Sequence, residues 1–209
     1  MPMSEKIRIA VLVSGGGTNL QALIDAQQAG EIPDGEIALV VSNKTGVFAL
    51  ERAAKAVIPS ATVTKKANGG TQEGFEQALL TVLKENNIDL IILAGFLAIL
   101  SADFTRAYND RIINVHPSLI PSFCGKGFYG LKVHEAALEY GVKVTGATVH
   151  LVNEIPDGGR ILLQKAVDIL PDDTAETLQK RVMEQAEWKL LPKAAQMVAH
   201  QMLEEKNNV

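Results

Sequence analysis

The chain has 209 residues, 47% of them hydrophobic, which is enough for one large domain or two halves that share a sheet. A net charge of −4 argues against a nucleic-acid surface, and no segment approaches the roughly 20 apolar residues that a membrane span needs. The single cysteine, Cys124, excludes an internal disulfide, and without a secretion signal at the start of the chain we expect a cytoplasmic protein.

The first half of the chain alternates predicted strands with predicted helices. Apolar and β-branched runs predict strands at residues 7–13, 37–41, 61–64, 89–93 and 111–113. Helical spacing of apolar residues predicts helices from Thr18, at 47–56, around Phe75 and Leu79, and at 104–108. This alternation indicates right-handed βαβ crossovers and a mostly parallel, Rossmann-like twisted sheet with helices on both faces.

The second half has a different pattern. Residues 142–151 and 161–168 predict two strands flanking a polar loop, which indicates an antiparallel extension of the sheet. Residues 125–130 form a glycine-rich loop before a predicted helix at 132–139. Asp173 and Glu176 predict a cap for a C-terminal helix, which Pro192 should break or kink. We expect one domain over residues 1–209, with functional halves at 1–110 and 111–209.

A polar, glycine-rich stretch separates the first strand from the first helix. Its residues are Gly15, Gly16, Gly17, Thr18 and Asn19. Glycines here let backbone N–H groups approach an anion, and the following helix adds unpaired amides and its positive dipole end. The pattern favours a phosphate site, with a plain tight turn as the alternative. Leu20 stands where a dinucleotide fingerprint needs a glycine, so we expect a single terminal phosphate and no nicotinamide cofactor.

A second group of polar residues follows the apolar run that ends at Ile113. Asn114 and His116 come at the carboxyl end of this strand, where ligand clefts open in α/β sheets. A satisfied turn is the alternative for the pair. A carboxylate on one ring nitrogen would hold His116 and favour its charged form, and Asp157 is the best candidate. The other histidines are interpreted as structural or surface residues, and none has zinc-type spacing, so no metal is expected. They are His134, His150 and His200.

Four motifs, in this order, resemble the formyltransferase family that uses 10-formyltetrahydrofolate. They are residues 13–21 (VSGGGTNLQ), 93–96 (LAGF), 114–121 (NVHPSLIP), and 146–150 (GATVH) with 157–159 (DGG). The resemblance runs from about residue 7 to residue 192. It implies the formyltransferase fold and transfer of a formyl group from the co-substrate 10-formyltetrahydrofolate to the amine of phosphoribosylglycinamide in purine biosynthesis.

The resemblance also implies roles for individual residues. Asn114 would stabilise the oxyanion, His116 would be the general acid or proton shuttle, and Asp157 would hold His116 during direct attack by the amine. The glycine-rich stretch, in the phosphate-binding half (residues 1–110), and Glu187, in the catalytic and folate-binding half (residues 111–209), would bind the acceptor. Formyl-folate would contact Gln72, Leu97, Ala98, Ile99, Leu100, Asn114, Asn153, Glu154 and Asp157. The partners would be small molecules, with no nucleic acid or membrane, and the protein a monomer or homodimer.

Two other family activities are alternatives: a formyltetrahydrofolate hydrolase and a methionyl-tRNA formyltransferase-like enzyme. The phosphate loop favours the phosphoribosylglycinamide acceptor over both. A phosphate- or folate-binding module without catalysis is an alternative of a different class. The chain departs from the family pattern at Gln72 and Ala98, where basic residues are frequent, and at Trp188, where a histidine commonly follows the glutamate.

Overall fold

A computed structural model describes residues 6–208 of the chain. It contains a seven-stranded sheet with the strand order β3-β2-β1-β4-β5-β6-β7. The strands are β1 (Ile7–Val13), β2 (Gly35–Ser42), β3 (Ser60–Thr62), β4 (Leu90–Leu93), β5 (Ile112–His116), β6 (Val144–Leu151) and β7 (Ile161–Asp168). The first five strands are parallel, whereas β6 pairs antiparallel with both β5 and β7. The predicted parallel sheet with an antiparallel extension is therefore confirmed.

Helices cover both faces of this sheet. They are α1 (Thr18–Gln28), α2 (Phe48–Lys55), α3 (Gln72–Glu85), α4 (Ala102–Ala107), α5 (Leu131–Tyr140), α6 (Ala175–Val182) and α7 (Trp188–Asn207). Successive residues of β1 point to opposite faces, so Val11 enters a core with α1, α2, α6 and α7, and Leu12 enters a core with α3 and α4. Both side chains are fully buried, which explains why residues 9–13 of this central strand are all apolar.

The strand order places a cleft at the carboxyl ends of β1 and β4. From β1 the chain runs outward to β2 and β3, and it then returns to the other side of β1 to form β4 and β5. The connections on the two sides of this switch point diverge, and ligands of open α/β sheets bind in the crevice between them. The segments that follow β1, β4 and β5 therefore share one edge.

The start of α6 differs from the sequence prediction. Thr174, rather than Asp173, caps the helix, and its capping-box partner is Thr177 rather than Glu176. Asp173 instead accepts two hydrogen bonds from the Arg181 guanidinium, at 2.5 and 2.6 Å. The prediction was wrong by one residue, because the Asp173 carboxylate pairs with Arg181, two turns along the helix, and Thr174 takes the capping position.

The predicted break at Pro192 is also wrong. Pro192 lies buried within α7, which continues for 20 residues. A π-helical turn, Met183–Glu187, joins α6 to α7 directly before it. The irregularity of the helical path therefore lies upstream of Pro192, and α7 continues through the proline. No helix within residues 6–208, α7 included, combines the length and apolar character needed to cross a bilayer.

Candidate active site

The glycine-rich turn between β1 and α1 presents free backbone amides. Gly17 precedes α1 in the left-handed conformation, with φ 72° and ψ 36°, and no side chain caps the helix. The first amides of α1 are thus open to a ligand, and the helix dipole adds positive potential there. Gly15 and Gly16 are exposed, and Arg52 donates its Nε–H to the Gly16 carbonyl at 2.8 Å. The geometry of this turn fits an anion.

Replacing Gly17 with alanine should lower the free energy of unfolding by about 1–3 kcal/mol, because the left-handed conformation strains a residue with a Cβ. That Cβ would also lie 2.7 Å from the Cβ of Ala49. Gly16→Ala is the matched control, since a Cβ there meets no atom within 4 Å. Urea unfolding of the two variants measures the difference, and equal stabilities would contradict the conformation of the turn.

Asn19 and Glu187 come together although they are far apart in the sequence. Asn19 Nδ2 donates to Glu187 Oε2 at 2.7 Å, and both residues are buried. Burial raises the pKa of Glu187 to about 7, against the opposing effect of this hydrogen bond. Within residues 6–208, Asn19 Oδ1 has no hydrogen-bond partner. The pair therefore leaves one buried acceptor without a partner near the glycine-rich turn, within the described residues.

Asn114 and His116 alternate along β5 and so point to the same side of the sheet. The antiparallel pairing with β6 puts His150 opposite Asn114. Two residues along, Thr148 lies opposite His116 and donates its hydroxyl to the Ser118 carbonyl at 2.7 Å. These side chains form one polar patch where the apolar strands end.

Asp157 reaches this patch from the loop between β6 and β7. Its Oδ2 lies 3.5 Å from His116 Nδ1, and its Oδ1 lies 3.5 Å from Asn114 Nδ2. The Gly125 N–H donates to Oδ2 at 2.8 Å. Burial alone would raise the pKa of Asp157, but the charge of His116 and the hydrogen bond from the Gly125 amide together hold it below its usual value. The carboxylate is therefore ionised at neutral pH.

His116 has a hydrogen-bond acceptor beside each ring nitrogen. Its Nε2 lies 2.9 Å from the Phe123 carbonyl, and because a carbonyl oxygen only accepts, this nitrogen carries a proton. Nδ1 is then the ring atom that gains or loses a proton, and it faces Asp157. Burial lowers the pKa of His116 below its ordinary value, although Asp157 and the Phe123 carbonyl oppose this. A neutral imidazole beside a carboxylate can act as a general base.

His150 belongs to the same cluster, although the sequence interpretation treated it as a hydrogen-bonded strand residue. Its Nδ1 donates to the Leu151 carbonyl at 2.8 Å, so its Nε2 is an acceptor. Asn114 Nδ2 lies 3.1 Å from Nε2 and donates to it, which fixes the orientation of the Asn114 amide. The alternation of Thr148 and His150 in a strand predicted to be antiparallel was the signal that could have revealed this.

A cavity of about 120 Å³ opens beside the cluster. Its walls come from the segment after β4 and from the loop between β6 and β7. Seven of the residues predicted to contact folate line it: Ala98, Ile99, Leu100, Asn114, Asn153, Glu154 and Asp157. A larger groove, of about 950 Å³, lies near Asp89 and Arg111 at the opposite edge of the sheet and contains none of the predicted site residues.

Two residues predicted to contact folate lie outside the walls of this cavity. The Leu97 side chain is 54% exposed, and its N–H donates to Ser14 Oγ at 2.9 Å. Gln72 begins α3, and its Nε2 donates to the Ile99 carbonyl at 2.9 Å and to Glu76 Oε1 at 2.7 Å. Gln72 therefore contacts the backbone of the cavity wall rather than the cavity.

Two further histidines lie outside the cluster that contains His116 and Asp157. His134 in α5 is fully buried, and neither ring nitrogen has a hydrogen-bond partner within residues 6–208. Burial, and then the charge of His116, lowers the pKa of His134 to about 4, so its ring is neutral at neutral pH. His200 is largely exposed on α7, with its Nδ1 2.7 Å from an oxygen of Asp34.

Cys124 lies near the cluster without being activated as a nucleophile. Its Sγ donates to the Pro121 carbonyl at 3.3 Å, and burial and then the charge of Asp157 raise its pKa. The thiol therefore stays protonated at neutral pH, whereas a nucleophilic cysteine reacts as the thiolate. In the part of the chain that the structure describes, no group of three His, Cys, Asp or Glu residues could hold a metal ion.

Fold and site together define an α/β protein with a polar cluster of Asn114, His116, His150 and Asp157, and a glycine-rich turn with open amides, at one edge of its sheet. The family model described as formyl transferase matches residues 7–195. The chain therefore belongs to the formyl transferase family. It is 41% identical to the phosphoribosylglycinamide formyltransferase of Haemophilus influenzae, over 97% of this chain and 92% of that relative.

Two further comparisons extend this relationship. The chain is 46% identical to the trifunctional purine biosynthetic protein adenosine-3 of Gallus gallus, over 94% of its own residues. It spans about a fifth of the length of that relative. The crystal structure of glycinamide ribonucleotide transformylase 1 from Symbiobacterium toebii matches with a TM-score of 0.87 and 39% identity, covering 94% of this chain and 89% of that one.

Proposed function

We propose that this protein transfers the formyl group of 10-formyltetrahydrofolate to the amine of N1-(5-phospho-D-ribosyl)glycinamide. The products would be the N2-formyl compound and tetrahydrofolate, in de novo purine biosynthesis. The observation that carries the proposal is the meeting of Asn114, His116 and Asp157 beside a cavity that shares an edge with an anion-binding turn. The name of the Haemophilus relative, which matches along almost its whole length, supports the same acceptor.

Asn114 and His116 divide the chemistry of this reaction. The acceptor amine attacks the formyl carbon, and the formyl oxygen becomes an oxyanion. Asn114 Nδ2 donates one N–H to His150 and makes a long contact of 3.5 Å with Asp157 Oδ1. Exchange of this second contact for the formyl oxygen would stabilise the oxyanion. His116 Nδ1 takes the proton that the amine loses, and Asp157 stabilises the resulting imidazolium. The same proton then passes to N10 of the folate as the carbon–nitrogen bond breaks.

The remaining site residues hold the two substrates. The amides of Gly17, Thr18 and Asn19 bind the acceptor phosphate, and the Asn19–Glu187 pair lies beside it. The cavity, of about 120 Å³, receives one end of the formyl-folate, which acts as a co-substrate. We propose that residues 1–209 act as one domain in the cytoplasm, as a monomer or homodimer.

An acceptor assay tests this function directly. With 10-formyltetrahydrofolate as donor, the protein should formylate phosphoribosylglycinamide at least about 100 times faster than it formylates initiator tRNA or releases formate to water. The reason is that the anion-binding turn contributes binding energy to a terminal phosphate that water lacks. Product formation is followed by mass spectrometry of the N2-formyl compound.

The competing functions give different results in the same assay. Formate release without a formylated product would indicate a hydrolase, and formyl-methionyl-tRNA would indicate the tRNA enzyme. Binding of both substrates with no product would indicate a module without catalysis. Each of these outcomes contradicts the proposed function.

A further inference from the structure

Residues 95–100, which we call the wall segment, connect β4 to the turn before α4 and form one side of the cavity. Phe96, Ala98 and Leu100 pack against the core, whereas Leu97 is 54% exposed and Ile99 is 66% exposed. Within residues 6–208, none of its backbone groups bonds to another backbone group. Side chains from neighbouring elements must therefore fix its conformation.

One anchor lies at the start of the wall segment. The Leu97 N–H donates to Ser14 Oγ at 2.9 Å, and the Ser14 hydroxyl donates to Asn43 Oδ1 at 2.8 Å. Ser14 directly follows β1, so this anchor ties the wall segment to the glycine-rich turn. The second half of the segment has the buried side chain of Leu100 and, in addition, a polar anchor on α3.

Gln72 and Glu76, one turn apart on α3, supply that anchor. Gln72 Nε2 donates to the Ile99 carbonyl at 2.9 Å and to Glu76 Oε1 at 2.7 Å. Glu76 also accepts from Ser101 N at 2.7 Å and from Ser101 Oγ at 2.5 Å. The Ser101 hydroxyl in turn caps α4 by accepting from Phe104 N. Gln72 thus holds the wall segment at Ile99, and Glu76 holds Gln72 and Ser101, the residue that follows the segment.

The burial of Glu76 shows that this arrangement is more than a surface contact. Glu76 is 7% exposed and lies between Phe75 and Leu79, which are apolar and buried on the same helix. An apolar residue would satisfy the packing of such a position without the desolvation cost that a carboxylate carries. The carboxylate is accommodated because both of its oxygens accept hydrogen bonds.

We propose that Glu76 and Gln72 are positioning residues for the formyl-folate co-substrate, holding the wall segment in the shape that receives the ligand without touching the ligand themselves. This inference rests on the proposed function. If the wall segment is ordered before the folate binds, binding does not lose the conformational entropy of ordering it. Gln72 and Glu76 therefore increase the affinity for the folate. Asn114 and His116 lie on β5 and keep their own contacts, so substitution of Gln72 or Glu76 should not change the rate of the chemical step.

Kinetics of Glu76→Gln and Gln72→Ala test the proposal. Each variant should raise KM for 10-formyltetrahydrofolate by about 5–20-fold, the effect of losing one or two hydrogen bonds that hold the wall. The values of kcat and of KM for phosphoribosylglycinamide should stay within about twofold of wild type. Gln77→Ala is the matched control, because Gln77 is exposed on the same helix and makes no side-chain hydrogen bond within residues 6–208.

Hydrogen exchange of the ligand-free protein gives a readout that needs no activity. Amides of residues 95–101 should exchange at least about fivefold faster in Glu76→Gln than in wild type or Gln77→Ala. Unchanged exchange there, an unchanged KM for the folate, or a loss confined to kcat would overturn the positioning role. If the wild-type protein transfers no formyl group, the proposed function fails by itself, and the exchange experiment still decides whether this anchor orders the wall segment.

Discussion

Replacing His116 with alanine should lower kcat for formyl transfer by about 10²–10⁴-fold, the range that a positioned proton carrier contributes. Nε2 of His116 faces the Phe123 carbonyl, so the proton must move through Nδ1, and the substitution removes that atom. Water cannot replace it easily, because the imidazole is 4% exposed. Steady-state kinetics with phosphoribosylglycinamide as acceptor measures the loss.

Binding experiments separate this catalytic loss from damage to the fold. Calorimetric affinities of His116→Ala for both substrates should stay within about threefold of wild type, since its imidazole acts mainly after binding. His200→Ala is the control, because His200 lies on α7 and contacts Asp34 and Glu204 rather than the cavity. Turnover of His116→Ala at the wild-type rate would remove His116 from the proposed mechanism.

The sheet could be predicted from the sequence because its central strands are nearly continuous apolar runs. β1 is apolar apart from Arg8 and β4 is apolar throughout, as expected of strands that are covered on both faces, and Ser14 and Gly95 follow them within two residues. The C-terminal helices were harder to read. Asp173 and Thr174 are both good capping residues, and only the position of Arg181 in space decides which of them caps α6.

Some residues of the candidate site could likewise be predicted from the sequence, and others could not. Asn114, His116 and Asp157 stand out by residue type, because an amide, an imidazole and a carboxylate at strand ends suit acid–base chemistry. His150 does not stand out, since its contact with Asn114 depends on the register of β6 against β5. A shift of one residue would turn it to the opposite face, and nothing local in the sequence determines that register.

Replacing Asp157 with asparagine should lower kcat by about 10²–10⁴-fold and move the acidic limb of the kcat/KM profile to lower pH. Asp157 is ionised at neutral pH, because its contacts hold its pKa below the usual value. Its charge lies 3.5 Å from His116 Nδ1 and favours the imidazolium, so its loss should lower the pKa of His116 by about one unit or more.

The sign of this shift follows from the protonation state that works. Neutral His116 accepts the proton, so activity falls as the pH drops through the pKa of His116, and a lower pKa moves that fall to lower pH. The pH-independent rate above this pKa also falls in Asp157→Asn, because the imidazolium formed during attack no longer has a carboxylate partner. Asp172 is an exposed carboxylate before α6, so Asp172→Asn is the control and should leave the acidic limb and the plateau of the pH profile unchanged. An acidic limb at the wild-type pH in Asp157→Asn would contradict the pairing of Asp157 with His116.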